Sequence, residues 1–393
     1  MSTAALTPSA SGHAEPADRP RKAVLFTQQF LAPGARKTGM IFWSESLAKL
    51  GWDTAVVTVQ LSLLSVVAGV ARLNTVPASD LNVWRERGRN LKAFVWRAPV
   101  HPARIGPRWL DSATGVLAYL YPLFLPKAVR VALRDADLVV IESCAAVALF
   151  DTVRRLAPGA RIVYCASDRL ESVGMHPVLS RILAGTASRY DLLRVPARSL
   201  LTDFPEGAKA VFIPHGVDKA VFDRDRPSPY RPGSRNVVVA GDMMFDREAV
   251  ATLVRDFPDL TFHAFGRMDC ASFAHAPNVV VHGEVPFEVL ADYVAHADLG
   301  LAPYVDRRDL NYLSESSLKL LQYTYCRLPI VAPSFAVVGL DHGYGYGGAV
   351  SAGDALRAAL GHDRAAIDRS RIMDWVEVMR AVLSRVGLDA PGA

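Results

Sequence analysis

Short runs of Val, Ile, Leu and Ala alternate with longer amphipathic segments along nearly the whole chain, in two successive sets. That alternation marks βαβ units, because parallel strands need a crossover between them and usually use a helix. The first set predicts strands at Ala23–Phe26, Thr54–Val59, Phe94–Trp96, Leu138–Glu142, Arg161–Cys165, Leu192–Val195 and Val211–Ile213. A helix over Met40–Leu50 is closed by Gly51. Pro214-His215-Gly216-Val217-Asp218 then ends regular structure, and a stretch rich in Pro, Arg and Asp runs from Asp223 to Pro232. The second set predicts strands at Asn236–Ala240, Thr261–Phe265, Val279–His282, Leu299–Ala302 and Ile330–Ala332. Its helices fall at Asp246–Arg255, Pro286–His296 and Glu315–Tyr325, and a last helix at Arg371–Val386 follows the completed sheet. The expected fold is α/β, with two Rossmann-like, doubly wound parallel-sheet domains facing each other. Their cleft is lined by the C-terminal ends of the strands. Residues 1–20 read as a disordered tail, 21–214 as the first domain, 215–370 as the second, and 371–393 as a helix crossing the junction.

The length of 393 residues fits two domains, and 51% hydrophobic residues can fill two cores. The net charge of +5 comes from scattered Lys and Arg, with no basic stripe for nucleic acid. It suits an anionic small substrate or an anionic membrane surface. Cys144, Cys165, Cys270 and Cys326 are far apart and form no CxxC pair, which points to a reducing compartment and away from a zinc site. The Ala-, Ser- and Pro-rich start has no basic n-region followed by an apolar run, so it does not read as a signal peptide. No uncharged apolar run reaches the roughly eighteen residues of a transmembrane helix. Val56–Leu73 and Gly115–Leu133 are nonetheless unusually apolar. Each is either core or an interfacial patch, the second with Lys127 and Arg130 at headgroup level.

Three strand ends carry chemistry. Ala302-Pro303-Tyr304 ends a buried strand and leads by a loop into a Ser/Glu-rich helix start, where free N–H groups can meet a diphosphate. Ser314, Ser316 and Ser317 suit N-capping, and Glu315 suits the positive helix end. On one continuous helix Glu315, Lys319 and Gln322 share a face; the plain alternative is an exposed Glu–Lys pair. Val163–Asp168 ends a strand of the first domain in a carboxylate, either a base or a helix cap. Gly241–Asp246 follows the first strand of the second domain, with Gly241 free to turn close to a ligand and Asp246 placed to cap the next helix. Gly343, Gly345 and Gly348 match GxGxxG but read as a glycine-rich turn, since no clear strand leads into them. Asp135-Ala136-Asp137 has the spacing of a metal-holding DxD but precedes its strand.

Ordered blocks through both domains carry a resemblance. They are Val95–Pro102, Ile141–Ser143, Val163–Asp168, His215–Asp218, Pro227–Tyr230, Met243–Asp246, Ala302–Tyr304 and Ser316–Tyr323. The chain resembles the GT-B glycosyltransferases, and within them the GumK-type inverting β-glucuronosyltransferases of xanthan-type exopolysaccharide synthesis. The resemblance implies Asp168 as catalytic base. It implies Met243, Tyr304, Ser317, Leu318, Lys319 and Gln322 around the uridine diphosphate of the donor. A second family carboxylate, a Glu, falls on Asp203. The family has Asp where this chain has Glu315 and Met where it has Leu318. The implied donor is UDP-glucuronate. The implied acceptor is a polyprenyl-diphosphate-linked oligosaccharide, met peripherally at the cytoplasmic face of the inner membrane, with no essential metal or other cofactor. The alternatives are a GT-B transferase for another UDP-sugar and a GT-B-like nucleotide-sugar epimerase.

Overall fold

The computed structural model describes residues 19–32, 36–62, 76–104, 111–305 and 310–388. The first half of the chain builds β1 (Lys22–Thr27), β2 (Asp53–Ser62), β3 (Trp84–Gly88), β4 (Leu91–Ala98), β5 (Leu138–Glu142), β6 (Arg161–Cys165), β7 (Leu192–Val195) and β8 (Ala210–Phe212). They form one sheet in the order β3-β4-β2-β1-β5-β6-β7-β8. All neighbours in it are parallel except β3 and β4. The central strands β5 and β6 are apolar and almost wholly buried, as expected when helices cover both faces of a parallel sheet.

The second half builds β9 (Arg235–Ala240), β10 (Leu260–Phe265), β11 (Val279–Gly283), β12 (Leu299–Leu301), β13 (Ile330–Pro333) and β14 (Gly343–Tyr346). Their order is β11-β10-β9-β12-β13-β14, all parallel. Counted within this half, the order is 3-2-1-4-5-6, that of a dinucleotide-binding fold.

Two strands depart from the sequence expectation. β3 is an antiparallel edge strand whose alternation is carried by charge, with Trp84 set edge-on to Phe94 at 5.1 Å. β14 is the Gly343-Tyr344-Gly345-Tyr346 segment, a strand where a turn was expected. A Cβ on Gly345 would lie 2.8 Å from the backbone of Ser334, so glycine here admits a close crossing of the chain.

The chain crosses between the halves at Ile213–Val217 and returns through the last helix, Trp375–Arg385. That helix starts four residues later than expected, because Asp374 and Glu377 form a capping box at its start. Trp375 stacks on Phe42 of the Gly39–Lys49 helix, centroids 5.1 Å apart and planes at 8°. A Cβ on Gly216 would lie 2.9 Å from the Trp375 backbone nitrogen, and Val217 N–H donates to Met373 C=O at 2.9 Å. The glycine of the junction motif is there for this contact.

Val56–Leu73 begins as β2, and its residues beyond 62 lie outside the described part. Gly115–Leu133 breaks into short pieces, Val116–Leu120, Tyr121–Phe124 and Lys127–Arg134. One side is core: Tyr121, Leu125, Val129 and Leu133 are buried, with Tyr121 stacked on Trp96 at 4.3 Å. The other side shows Val116, Tyr119, Leu120, Leu123, Phe124 and Val131 to solvent.

Candidate active site

A doubly wound sheet opens a crevice where its strand order reverses. In the first half that point lies between β1 and β5, in the second between β9 and β12.

At the first reversal Glu142 ends β5 and is buried. Its Oε2 accepts from Thr27 Oγ1 at 2.5 Å and Gln28 N–H at 3.1 Å, and its Oε1 accepts from Ser167 Oγ at 2.9 Å. Ser143 Oγ accepts the backbone N–H groups of Ser167 at 3.0 Å and Asp168 at 3.2 Å. The turn after β6 is thereby pinned to the end of β5, and it holds Asp168 at the cleft. Asp168 Oδ1 accepts from the hydroxyl of Tyr312, a residue of the second half, at 3.0 Å. Burial lifts the Asp168 carboxyl to about 6; the Tyr312 hydrogen bond opposes that rise and the Glu142 charge adds to it. A carboxylate so placed titrates close to neutrality, as a general base should. Sequence reasoning missed Glu142, although Ile141–Ser143 stood out as a block. Its position at the end of a switch-point strand was the available signal.

At the second reversal Gly241 turns with φ +83°, and a Cβ there would lie 3.3 Å from Lys319 Nζ. The ammonium packs on this bare turn and 4.7 Å from the centre of the Tyr304 ring. Tyr304 OH and Ser317 Oγ are 2.6 Å apart, and Ser317 caps the Leu318–Tyr325 helix by accepting from Leu320 N–H. Burial lowers Lys319 to about 7; Arg36 lowers it further and Asp242 opposes. Lys319 makes no ion pair among the described residues. Arg36 reaches over from the first half to Asp242 at 2.7 Å. Burial would raise the Asp242 carboxyl, but Arg36 holds it below the usual value. Burial raises the Tyr304 phenol, the Ser317 hydrogen bond opposes that rise, and the charge of Asp168 across the cleft adds to it.

Met243 is exposed on the turn after β9, Leu318 packs on the core, and Gln322 is half-buried one turn beyond Lys319. A cavity of about 440 Å³ lined by Asp242, Phe245, Asp246, Arg247, Arg267 and Val305 opens beside this turn. Another of about 310 Å³, lined by Asp168, Arg169, Leu183, Leu200, Asp203 and Phe204, opens beside that carboxylate. Asp203 grips Arg169 through both oxygens, at 2.7 and 3.0 Å.

One expectation fails. Glu315 does not share a helix face with Lys319 and Gln322. The chain makes a turn of helix at Leu313–Ser316 and breaks at Ser317, where ψ is 116°, before the next helix begins. Ser317 is the cap, while Ser314 and Ser316 lie in the earlier turn. Glu315 instead pairs with Arg198 of the first half at 2.8 Å. Asp135 and Asp137 sit before β5, away from the cleft, and bond Lys22 and Arg19.

Among solved structures, Anabaena HepE in complex with UDP and glucose superposes with a TM-score of 0.63 at 12% identity, over 93% of this chain and 99% of that one. The UDP-forming α,α-trehalose-phosphate synthase of Burkholderia xenovorans, in complex with glucose-6-phosphate, gives 0.59 at 11% identity, over 93% and 100%. Two doubly wound sheets facing across a cleft, with their crevices turned to each other, make this a GT-B glycosyltransferase fold. The family model of the glucuronosyltransferase GumK N-terminal domain matches residues 25–196. The UDP-glucuronate:glycolipid 2-beta-glucuronosyltransferase of Xanthomonas campestris pv. campestris is 30% identical over 367 residues, 93% of this chain and 90% of the relative. The chain belongs to the GumK glucuronosyltransferase family and is a glycosyltransferase.

Proposed function

We propose that this protein moves glucuronate from UDP-glucuronate to a polyprenyl-diphosphate-linked oligosaccharide, with inversion, at the cytoplasmic face of the inner membrane during exopolysaccharide synthesis. The observation that carries the reading is the pairing across one cleft of a carboxylate raised to about 6 with a half-buried lysine lowered to about 7. The extended likeness to a UDP-glucuronate:glycolipid transferase supports the choice of donor and acceptor.

Asp168 takes the proton of the acceptor hydroxyl as that oxygen bonds to the anomeric carbon from the face opposite the diphosphate. The bond from that carbon to the diphosphate oxygen breaks, and UDP leaves with the electron pair. Lys319 and the free N–H groups of the Ser317-capped helix offset the charge that develops there. A single displacement by a single base inverts the centre, by analogy with inverting glycoside hydrolysis. Met243, Tyr304, Leu318 and Gln322 complete the donor side. The cleft excludes the water that would compete as acceptor.

The acceptor's lipid stays in the bilayer, so the enzyme must meet the surface. No described helix is long and apolar enough to cross a membrane. The patch of Val116, Tyr119, Leu120, Leu123, Phe124 and Val131 is exposed on the half that carries Asp168, with Lys127 and Arg134 exposed beside it. This combination fits insertion into an interface with attraction to anionic headgroups. Arg130 has another task, donating to the carbonyls of Leu123 and Leu125 and so fixing the bend between the pieces.

Turnover with UDP-glucuronate, UDP-glucose and UDP-galactose under one acceptor condition tests the donor. UDP-glucuronate should be clearly preferred; preference for a neutral sugar removes the glucuronate assignment and leaves the family.

A further inference from the structure

The base at the cleft is not completed by its own half. Asp168 Oδ1 is occupied by the hydroxyl of Tyr312 at 3.0 Å, and Tyr312 stands just before the Leu313–Ser316 turn of the second half. Among the described residues, no hydrogen bond reaches Asp168 Oδ2. One oxygen is thus fixed by the opposite half and the other is left for a ligand. Tyr312 is itself held: it is almost fully buried, and Arg169 lies over its ring at 5.6 Å. Arg169 is in turn clamped through both oxygens of Asp203. Ser172 stands within hydrogen-bonding reach of the phenol. Arg169, Asp203 and Ser172 all belong to the half that carries Asp168, so a ring contributed by the second half is seated in the first half beside the carboxylate.

We propose that Tyr312 is a positioning residue for the transfer reaction: contributed by the donor-side half and seated among first-half groups, it occupies Asp168 Oδ1 and so presents Oδ2 to the acceptor hydroxyl. This rests on the reading of Asp168 as the base. The phenol donates to Oδ1 and leaves Oδ2 as the oxygen that receives the acceptor's proton, so a residue of the donor-side half completes the base.

Among the described residues, the charged and titratable groups around Asp168 are Glu142 on β5, Arg169 next in the chain, Asp203 clamped to Arg169, and Tyr304 and Tyr312 from the second half. Of these, Glu142 raises the Asp168 carboxyl and Tyr312 lowers it, so the two act in opposite senses. Because the base works deprotonated, loss of the phenol's hydrogen bond must move the acid limb of the rate profile to higher pH.

The test compares wild type, Asp168→Asn and Tyr312→Phe in kcat and kcat/KM for transfer across pH. Phenylalanine keeps the ring under Arg169 and removes only the hydroxyl. For Tyr312→Phe the acid limb should rise by about one pH unit, the scale of one hydrogen bond to a charged group. UDP affinity should stay the same, since that variant leaves the lysine and the helix cap untouched. Site-specific 3,5-difluorotyrosine at position 312, a stronger donor, should move the limb the other way and covers the case in which Tyr312→Phe folds poorly. If Asp168→Asn keeps its activity, the base assignment itself is lost. If Asp168→Asn is inactive while the Tyr312→Phe and difluorotyrosine profiles overlie that of the wild type, the base stands and the role of Tyr312 is refuted. A uniform fall in kcat with an unmoved limb also refutes it, because it marks a structural residue.

Discussion

The two crevices are built on the same plan and finished in opposite ways. In the first half the polar groups at the strand reversal satisfy each other: Glu142 is bonded to Thr27, Gln28 and Ser167, and Ser143 holds the turn that bears Asp168. In the second half the corresponding turn is bare glycine, and beside it stands Lys319 with no ion pair among the described residues. One half holds its carboxylate in a closed network of hydrogen bonds, as the proposed role of base requires. The other leaves its lysine without a paired anion among the described residues, as the proposed contact with a diphosphate requires. A low-dielectric site makes both arrangements costly to disturb, but in different currencies: geometry on one side, charge on the other.

The sharpest way to break that contrast is Asp168→Asn. It keeps volume and removes the proton acceptor, so kcat should fall at least about 10²-fold with UDP affinity nearly intact. Retention of more than about half the activity would return Asp168 to the role of a turn residue. Lys319→Ala addresses the other side and should weaken UDP binding by roughly 1.5–3 kcal/mol in calorimetry, the range for charge-assisted hydrogen bonds. Unchanged affinity would mean that the lysine is only packing on Gly241 and Tyr304.

Leu123→Ser with Phe124→Ser separates the halves further. Binding to anionic liposomes should drop about tenfold, in line with the apolar area lost, and UDP affinity should not change. Equal sedimentation of the wild type with neutral and anionic vesicles would show that the patch is not a basic membrane contact.

The smallest effect is a proton. The free protein holds Lys319 near 7, so at pH 8 most of these lysines are neutral, while the diphosphate prefers the ammonium. UDP binding at pH 8 should therefore take up part of a proton, seen as a buffer-dependent heat, and affinity should fall as pH rises through 7. Asp168 must stay deprotonated and loses that form below about 6. The two shifts together place the best window for the free enzyme between about 6 and 7.

Strands buried on both faces were the easiest to read. β5, β6 and β7 span the residues that the sequence predicts, Leu138–Glu142, Arg161–Cys165 and Leu192–Val195, because a short, mostly apolar run buried between helices leaves little else to form. β3 and β14 were not legible, one because its pattern is carried by charge on an edge, the other because glycine there serves a close crossing at Ser334. Asp168 could be found because strand ends can be counted along the chain. Tyr312 could not, because it touches Asp168 only through the docking of two halves, and nothing local in the sequence marks it. Glu315 misled for a related reason. A helical period was carried through Ser317, where the backbone leaves the helix, and a tertiary pair with Arg198 had taken the side chain.

The return of the chain through Trp375–Arg385 has a consequence for anyone who would recombine such enzymes. By sequence order that helix belongs with the donor-side sheet, yet its Trp375 lies flat on Phe42 of the first half and its approach is matched to the missing side chain at Gly216. Cut at His215, the first half would lose part of its own wall and show an aromatic face to water. A graft that replaces only residues 215–370 and keeps the native tail would preserve that seam. The unit of exchange is therefore an interior segment of the gene and not its downstream end.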